Sequence, residues 1–203
     1  MAKRIGVFVD VSNLYYCISK KYQDRKLDYA KYIAFIKELG DIQQAIAYGA
    51  QINNEAANFI YCLKQVGFHT KYKTPKSYSH QPNFKRKADW DVGIAIDIVN
   101  MIDRFDMIIL GTADGDLVPA VDWAQQRGVD VVIFACGISR DLKNIARQFI
   151  EIPESLLEGP DDGVSGTKEP RPLLHTDGDD TELPGTSSET PERDGSDRGE
   201  VSV

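Results

Sequence analysis

No stretch of this 203-residue sequence stays apolar for anything near the roughly 20 residues that cross a bilayer, so no membrane span is expected. The apolar run after Arg4 lasts only about six residues before Asp10 interrupts it, too short for a signal peptide. Cysteine is scarce. Cys17, Cys62 and Cys136 stand far apart with no CxxC pair, which argues against a disulfide framework and a zinc site and fits a reducing cytoplasm. There is no Walker A loop and no GxGxxG. Ser12 and Ser139 sit in no nucleophile elbow. Histidine offers little: no spacing ties the three to the acids, and His69 reads as a strand residue rather than a general base.

Acidic residues are missing from one long interval. Between Glu55 and Asp89 there is no Asp or Glu, while Lys64, Lys71, Lys73, Lys76, Lys85, Arg86 and Lys87 all fall there. Phe68, Tyr72, Tyr78 and Phe84 are interleaved with them, as are His69 and His80. Basic side chains neutralise phosphates, and aromatic rings stack on unpaired bases. Lys73, Lys76, Lys85, Arg86 and Lys87 are therefore candidates for holding nucleic acid, and the last three lead directly into Asp89 and Asp91. The plainer reading is a solvated loop.

The net charge of -7 comes from one end. From Gly159 onward there are 12 acids and 4 bases, which leaves 19 acids and 20 bases for the rest. Residues 158–203 are rich in Gly, Pro, Ser, Thr and Asp and cannot bury enough apolar surface to offset their chain entropy. They are expected to form a disordered acidic tail behind a single domain at 1–157. An inhibitory contact between tail and basic surface is the sharper version of that expectation.

Within the domain, strands and helices alternate. Strands are predicted at Arg4–Val9, Ile42–Ala50, Phe68–Lys73, Met107–Leu110 and Val129–Phe134, with a short edge strand at Phe149–Ile152. Helices are predicted at Ser12–Lys21, from Asp28 as cap to Leu39, Asn54–Val66, Trp90–Phe105, Leu117–Arg127 and Ser139–Gln148. Such alternation predicts a parallel sheet of five or six strands with helices on both faces.

In such a sheet the working crevice lies beyond the carboxyl ends of the strands. Asp10 ends the first strand, while Asp114 and Asp116 follow the fourth. Asp91 opens the helix that leads into the fourth. Each has a bland role as a helix cap or first-turn acid. Gathered at one edge, they would repel each other unless a hard divalent cation, Mg2+ or Mn2+, lay between them. Asp114, nearer the strand end, is the better candidate for direct contact, and Asp116 for contact through water. Gly115 is expected to let the chain turn tightly between the two. Asp97 lies six residues past Asp91, off its helical face, and ranks lower.

Four segments resemble a known family. FVDVSNLYY (Phe8–Tyr16), DWDVGIAID (Asp89–Asp97), GTADGDL (Gly111–Leu117) and SRDLKNIARQFIEI (Ser139–Ile152) are similar, in order, to the motifs of NYN domains, the LabA-like branch of the PIN-like nucleases. The resemblance covers roughly residues 3 to 152. It implies a three-layer α/β/α, Rossmann-like fold and a metal-dependent endoribonuclease. By position, Asp10, Asp91, Asp114 and Asp116 would bind the metal and Asn13 would support them, with Ser12, Asp89, Asp97 and Thr112 in outer positions. A partner RNA follows from that implication, and the one assembly considered is a homodimer. This chain departs from the family's pattern in having Ala88-Asp89-Trp90-Asp91 where Lys-Gly-Val-Asp is common. It also has Arg147 where the last helix often carries Asp, a residue that could contact a phosphate instead. Two rival functions are a non-catalytic RNA- or protein-binding module and a phosphohydrolase of small phosphate esters. The second wants another acid two residues after Asp10, where Ser12 stands.

Overall fold

A computed structural model describes residues 2–50, 54–73 and 90–159. The expected tail from 160 onward and the basic segment at 74–89 lie outside the described residues. The strands are β1 (Arg4–Asp10), β2 (Asp41–Ala50), β3 (His69–Lys73), β4 (Met107–Gly111), β5 (Asp130–Ala135) and β6 (Gln148–Glu151). The helices are α1 (Val11–Lys21), α2 (Tyr29–Leu39), α3 (Asn54–Val66), α4 (Asp91–Met101), α5 (Val118–Gln126) and α6 (Arg140–Ile145). All six strands join one sheet in the order β3-β2-β1-β4-β5-β6, and every neighbouring pair is parallel.

The chain moves outward from β1 to β3, then jumps back across the sheet to β4. Right-handed crossovers therefore place α4, α5 and α6 on the face opposite the earlier helices. Packing agrees with this division: α2 lies against α3, while α4, α5 and α6 pack in succession. The sheet interior is continuous with the apolar runs, and Ile5, Phe8, Ile108, Ile109, Leu110 and Ile133 are fully buried. Tyr32 of α2 stacks on Phe134 of β5 at 4.5 Å and donates its hydroxyl to the Phe134 carbonyl at 2.9 Å. Burial raises the pKa of that hydroxyl far above its ordinary value.

Within the strands, close approaches require glycine at two positions. A Cβ on Gly111 would lie 2.9 Å from Tyr32 Oη, at the place where β4 ends beneath α2. One on Gly6 would lie 2.6 Å from the ring of Phe105, which packs edge-on against Phe8.

Helix ends differ from the sequence expectation for local reasons. Asp28 caps α2 as expected, accepting from the Ala30 and Lys31 amides. The helix predicted over Ser139–Gln148 spans only Arg140–Ile145, because Gln125 of α5 takes over its end. The Gln125 amide donates to the Ile145 carbonyl at 3.0 Å and accepts from the Arg147 amide at 3.2 Å, while Ala146 turns extended. The helix predicted to Phe105 leaves α geometry after Met101 for a 3-10 turn at Ile102–Arg104, which frees Phe105 to reach the sheet. Gly115 has no positive φ, unlike Gly67, Gly128 and Gly137. It lies in a 3-10 turn (Gly115–Leu117), and a Cβ there would meet Ser139 Oγ at 3.2 Å. The tight turn expected at Gly115 is thus made without a left-handed backbone.

Candidate functional site

β1 and β4 are direct neighbours, with Val9 opposite Gly111. Connections leave this pair in opposite directions, so the crevice at its carboxyl end is the topological switch point of the sheet. Asp10 and Asp114 both stand there.

Asn13 joins them. Its backbone amide donates to Asp10 Oδ1 at 3.0 Å, and its side-chain Oδ1 accepts from the Ala113 amide at 2.9 Å. One residue in the first turn of α1 therefore fixes the end of β1 and the loop after β4. Asp114 in turn accepts from the Asp116 amide at 3.1 Å, while its own amide donates to the hydroxyl of fully buried Thr112 at 3.2 Å. The Ser139 amide donates to the Ala113 carbonyl at 3.2 Å, bringing the start of α6 to the same loop. The sequence carries no signal for that backbone contact of Ser139.

The bland roles are real: Asp10 caps α1 and Asp114 caps the 3-10 turn. The cap made by Asp114 uses one carboxylate oxygen, and a carboxylate has two. The two acids share a neighbour in Cys17, whose thiol pKa is pushed up to about 11. Burial is the main cause, followed by Cys136, with Asp10 and Asp114 both adding to it. Among the described residues, no cation pairs with Asp114 or Asp116.

The remaining expected residues divide. Asp116 is exposed on the 3-10 turn. Asp91 is half-buried at the start of α4, which packs beside that turn. Trp90, not Asp91, occupies the cap position of α4 and makes no side-chain cap. Ser12 is half-buried at the head of α1. Asp97 is engaged elsewhere: it accepts from Tyr48 Oη at 2.6 Å and from Lys71 Nζ at 2.7 Å. Lys73 lies with its ammonium 4.1 Å from the centre of the Trp90 ring. Arg147 is at the wrong edge for a phosphate in the crevice, because it pairs with Asp130 at the beginning of β5. Asp89, Lys76, Lys85, Arg86 and Lys87 lie outside the described residues.

Among the described residues, no three of Asp, Glu, His and Cys are grouped so as to hold a metal ion by themselves. Among the described residues a closed cage of the zinc or calcium kind is therefore not built. Magnesium needs less: one or two carboxylates suffice, with water and substrate phosphate completing the shell. Asp10 and Asp114, hard oxygen donors at one crevice, fit that sparse type of site in donor kind and number.

Comparison with known proteins agrees in family and fold. A profile of the NYN domain family matches residues 4–156. The chain is 26% identical over 157 residues to "Low amplitude and bright protein LabA" of Synechococcus elongatus, covering 73% of this chain and 83% of that one. It also resembles the crystal structure of a protein of unknown function from Vibrio parahaemolyticus. There the TM-score is 0.68 with 28% identity, over 77% of this chain and 97% of that chain.

Proposed function

Because this chain belongs to the NYN domain family, whose members are PIN-like nucleases, we propose that it is a metal-dependent endoribonuclease working at the β1/β4 crevice. The observation that carries this reading is the tie Asn13 makes between Asp10 and Ala113, the residue before Asp114. Asp10 and Asp114 would hold a magnesium or manganese ion, with Asp91 and Asp116 at the margin of the site. When bound, such an ion acidifies water and neutralises charge developing on a phosphodiester. Asn13 keeps the two ends of the site in register. Thr112 fixes the amide of Asp114, and so the direction of its carboxylate. Lys73 stands on the β2 side of the crevice, where it can meet the phosphates of an RNA strand. Free Cys17, Cys62 and Cys136 suit a reducing cytoplasm as the setting. Among the described residues no helix is long and apolar enough to cross a membrane.

A second reading has its own observation. The absence of a three-residue metal group among the described residues also suits a module that binds RNA or protein without cutting. Labelled single-stranded RNA incubated with the full chain separates the two. Cleavage that requires manganese or magnesium, stops with chelator and falls about 100-fold or more in Asp114→Asn is the expected result. RNA left intact at enzyme excess, with binding still seen by fluorescence anisotropy, would leave the non-catalytic module.

A further inference from the structure

The structure holds the ring of Trp90 firmly. The indole Nε1 donates to the Gly49 carbonyl at 2.8 Å. Its ring tilts against Tyr48 at 5.4 Å, and a Cβ on Gly93 would come within 2.8 Å of it, so the α4 backbone lies close against the indole. Tyr48 is the register partner of Asp10 across β1 and β2. The anchor at Gly49 is therefore one residue beyond the neighbour of Asp10, and adjacent strands are only about 4.8 Å apart. The next residue in the chain is Asp91. Trp90 thus stands beside the acid crevice, on its β2 side.

The ring is half-buried, and the side chain over it is that of Lys73, an exposed residue of the edge strand β3. A flexible lysine resting on an indole at an exposed site gains less than a nucleobase does by stacking on it. A base can therefore take the lysine's place on the ring, while the displaced ammonium remains within reach of the adjoining phosphate.

We propose that Trp90 and Lys73 form a base-stacking subsite for unpaired RNA, which holds one nucleotide beside the Asp10–Asp114 crevice and so sets a preference for single strands. This rests on the nuclease reading for its substrate class but not for its chemistry. A base inside a duplex has both faces stacked and cannot cover the ring, whereas an unpaired one can. Trp90 is then a positioning residue, since it holds the nucleotide without touching the reacting atoms.

The chain has two tryptophans, so a Trp123→Phe background leaves Trp90 as the only indole emitter. Full-length protein of that kind, with chelator present to prevent cleavage, is titrated with oligoadenylate and with a duplex RNA of equal length. Anisotropy of labelled RNA is followed in parallel. Saturable quenching of Trp90 by oligoadenylate, with little by duplex, is expected. Trp90→Leu should weaken single-strand binding about tenfold, and Trp90→Phe, which keeps a ring, should restore most of it. Single-strand binding without quenching overturns the proposal, as does equal quenching by duplex or no binding at all. Cleavage assays on the same proteins report separately: quenching without cleavage removes the nuclease and keeps the subsite.

Discussion

Replacing Asn13 with alanine removes the acceptor of the Ala113 amide, now 2.9 Å away in a half-buried place. An amide left without a partner there costs about 1–3 kcal/mol. Alanine recovers about 0.5 kcal/mol through its better helix propensity. The cap on Asp10 survives, because it uses the backbone amide of residue 13. A net loss of about 1–2 kcal/mol corresponds to a fall in Tm of roughly 3–6 °C for a domain of this size. Asn13→Asp is the informative companion. It keeps an oxygen where the Ala113 amide needs one, but sets a third negative charge beside Asp10 and Asp114. It should melt below the parent in chelator and gain more than the parent when manganese is added, because the cation relieves the added repulsion. Circular dichroism melts of the three proteins, with chelator and with manganese, measure both effects. An alanine variant melting within about 1 °C of the parent, or an aspartate variant with no extra gain from manganese, refutes the bridging role of Asn13.

Other expected outcomes concern groups away from the bridge. Tyr48→Phe removes a 2.6 Å bond to the Asp97 carboxylate from a fully buried ring. It should cost about 1–2 kcal/mol in chemical denaturation while leaving manganese affinity unchanged, since Asp97 belongs to the Lys71 pair rather than to the crevice. Asp106 is held at a pKa of about 2, chiefly by the side-chain hydrogen bond from Arg4. Its contribution to stability is present above its unfolded value of about 4 and is lost as pH falls through about 2. Melts between those pH values should show a shallower acid decline in Asp106→Asn than in the parent. The half-buried Cys17 thiol, raised to about 11, should resist iodoacetamide at pH 8, while exposed Cys62 reacts first. Peptide mass spectrometry over a time course checks the order.

The strands were legible because parallel strands buried on both faces read as continuous apolar runs, and β1, β4 and β5 do so. Capping chemistry placed the start of α2 through Asp28 and its end at Gly40. The end of α6 was not legible. Periodicity carries through Ile145 into Ala146 and Arg147, and only the folded position of Gln125 shows which amides it captures. The site followed the same division. The placing of Asp10 and Asp114 at one crevice could be read from the sequence, because Asp10 ends β1, Asp114 follows β4, and β1 lies beside β4. The side-chain roles of Asn13 and Thr112 became specific only with the hydrogen bonds to Ala113 and Asp114. Asp97 and Arg147 resisted reading because their partners, Tyr48, Lys71 and Asp130, are distant in sequence or unmarked by any motif. Trp90 stood in the sequence as a departure from the family's pattern, and its position beside the crevice emerged from the Gly49 anchor.

The most direct test is a titration of the full chain with manganese followed by electron paramagnetic resonance, which counts bound ions. The parent should bind at the crevice. Asp10→Asn and Asp114→Asn should each lose that binding, while Asp97→Asn, whose carboxylate serves the Lys71 pair, should keep it. Equal manganese binding by the parent, Asp10→Asn and Asp114→Asn would contradict a metal site at the β1/β4 crevice.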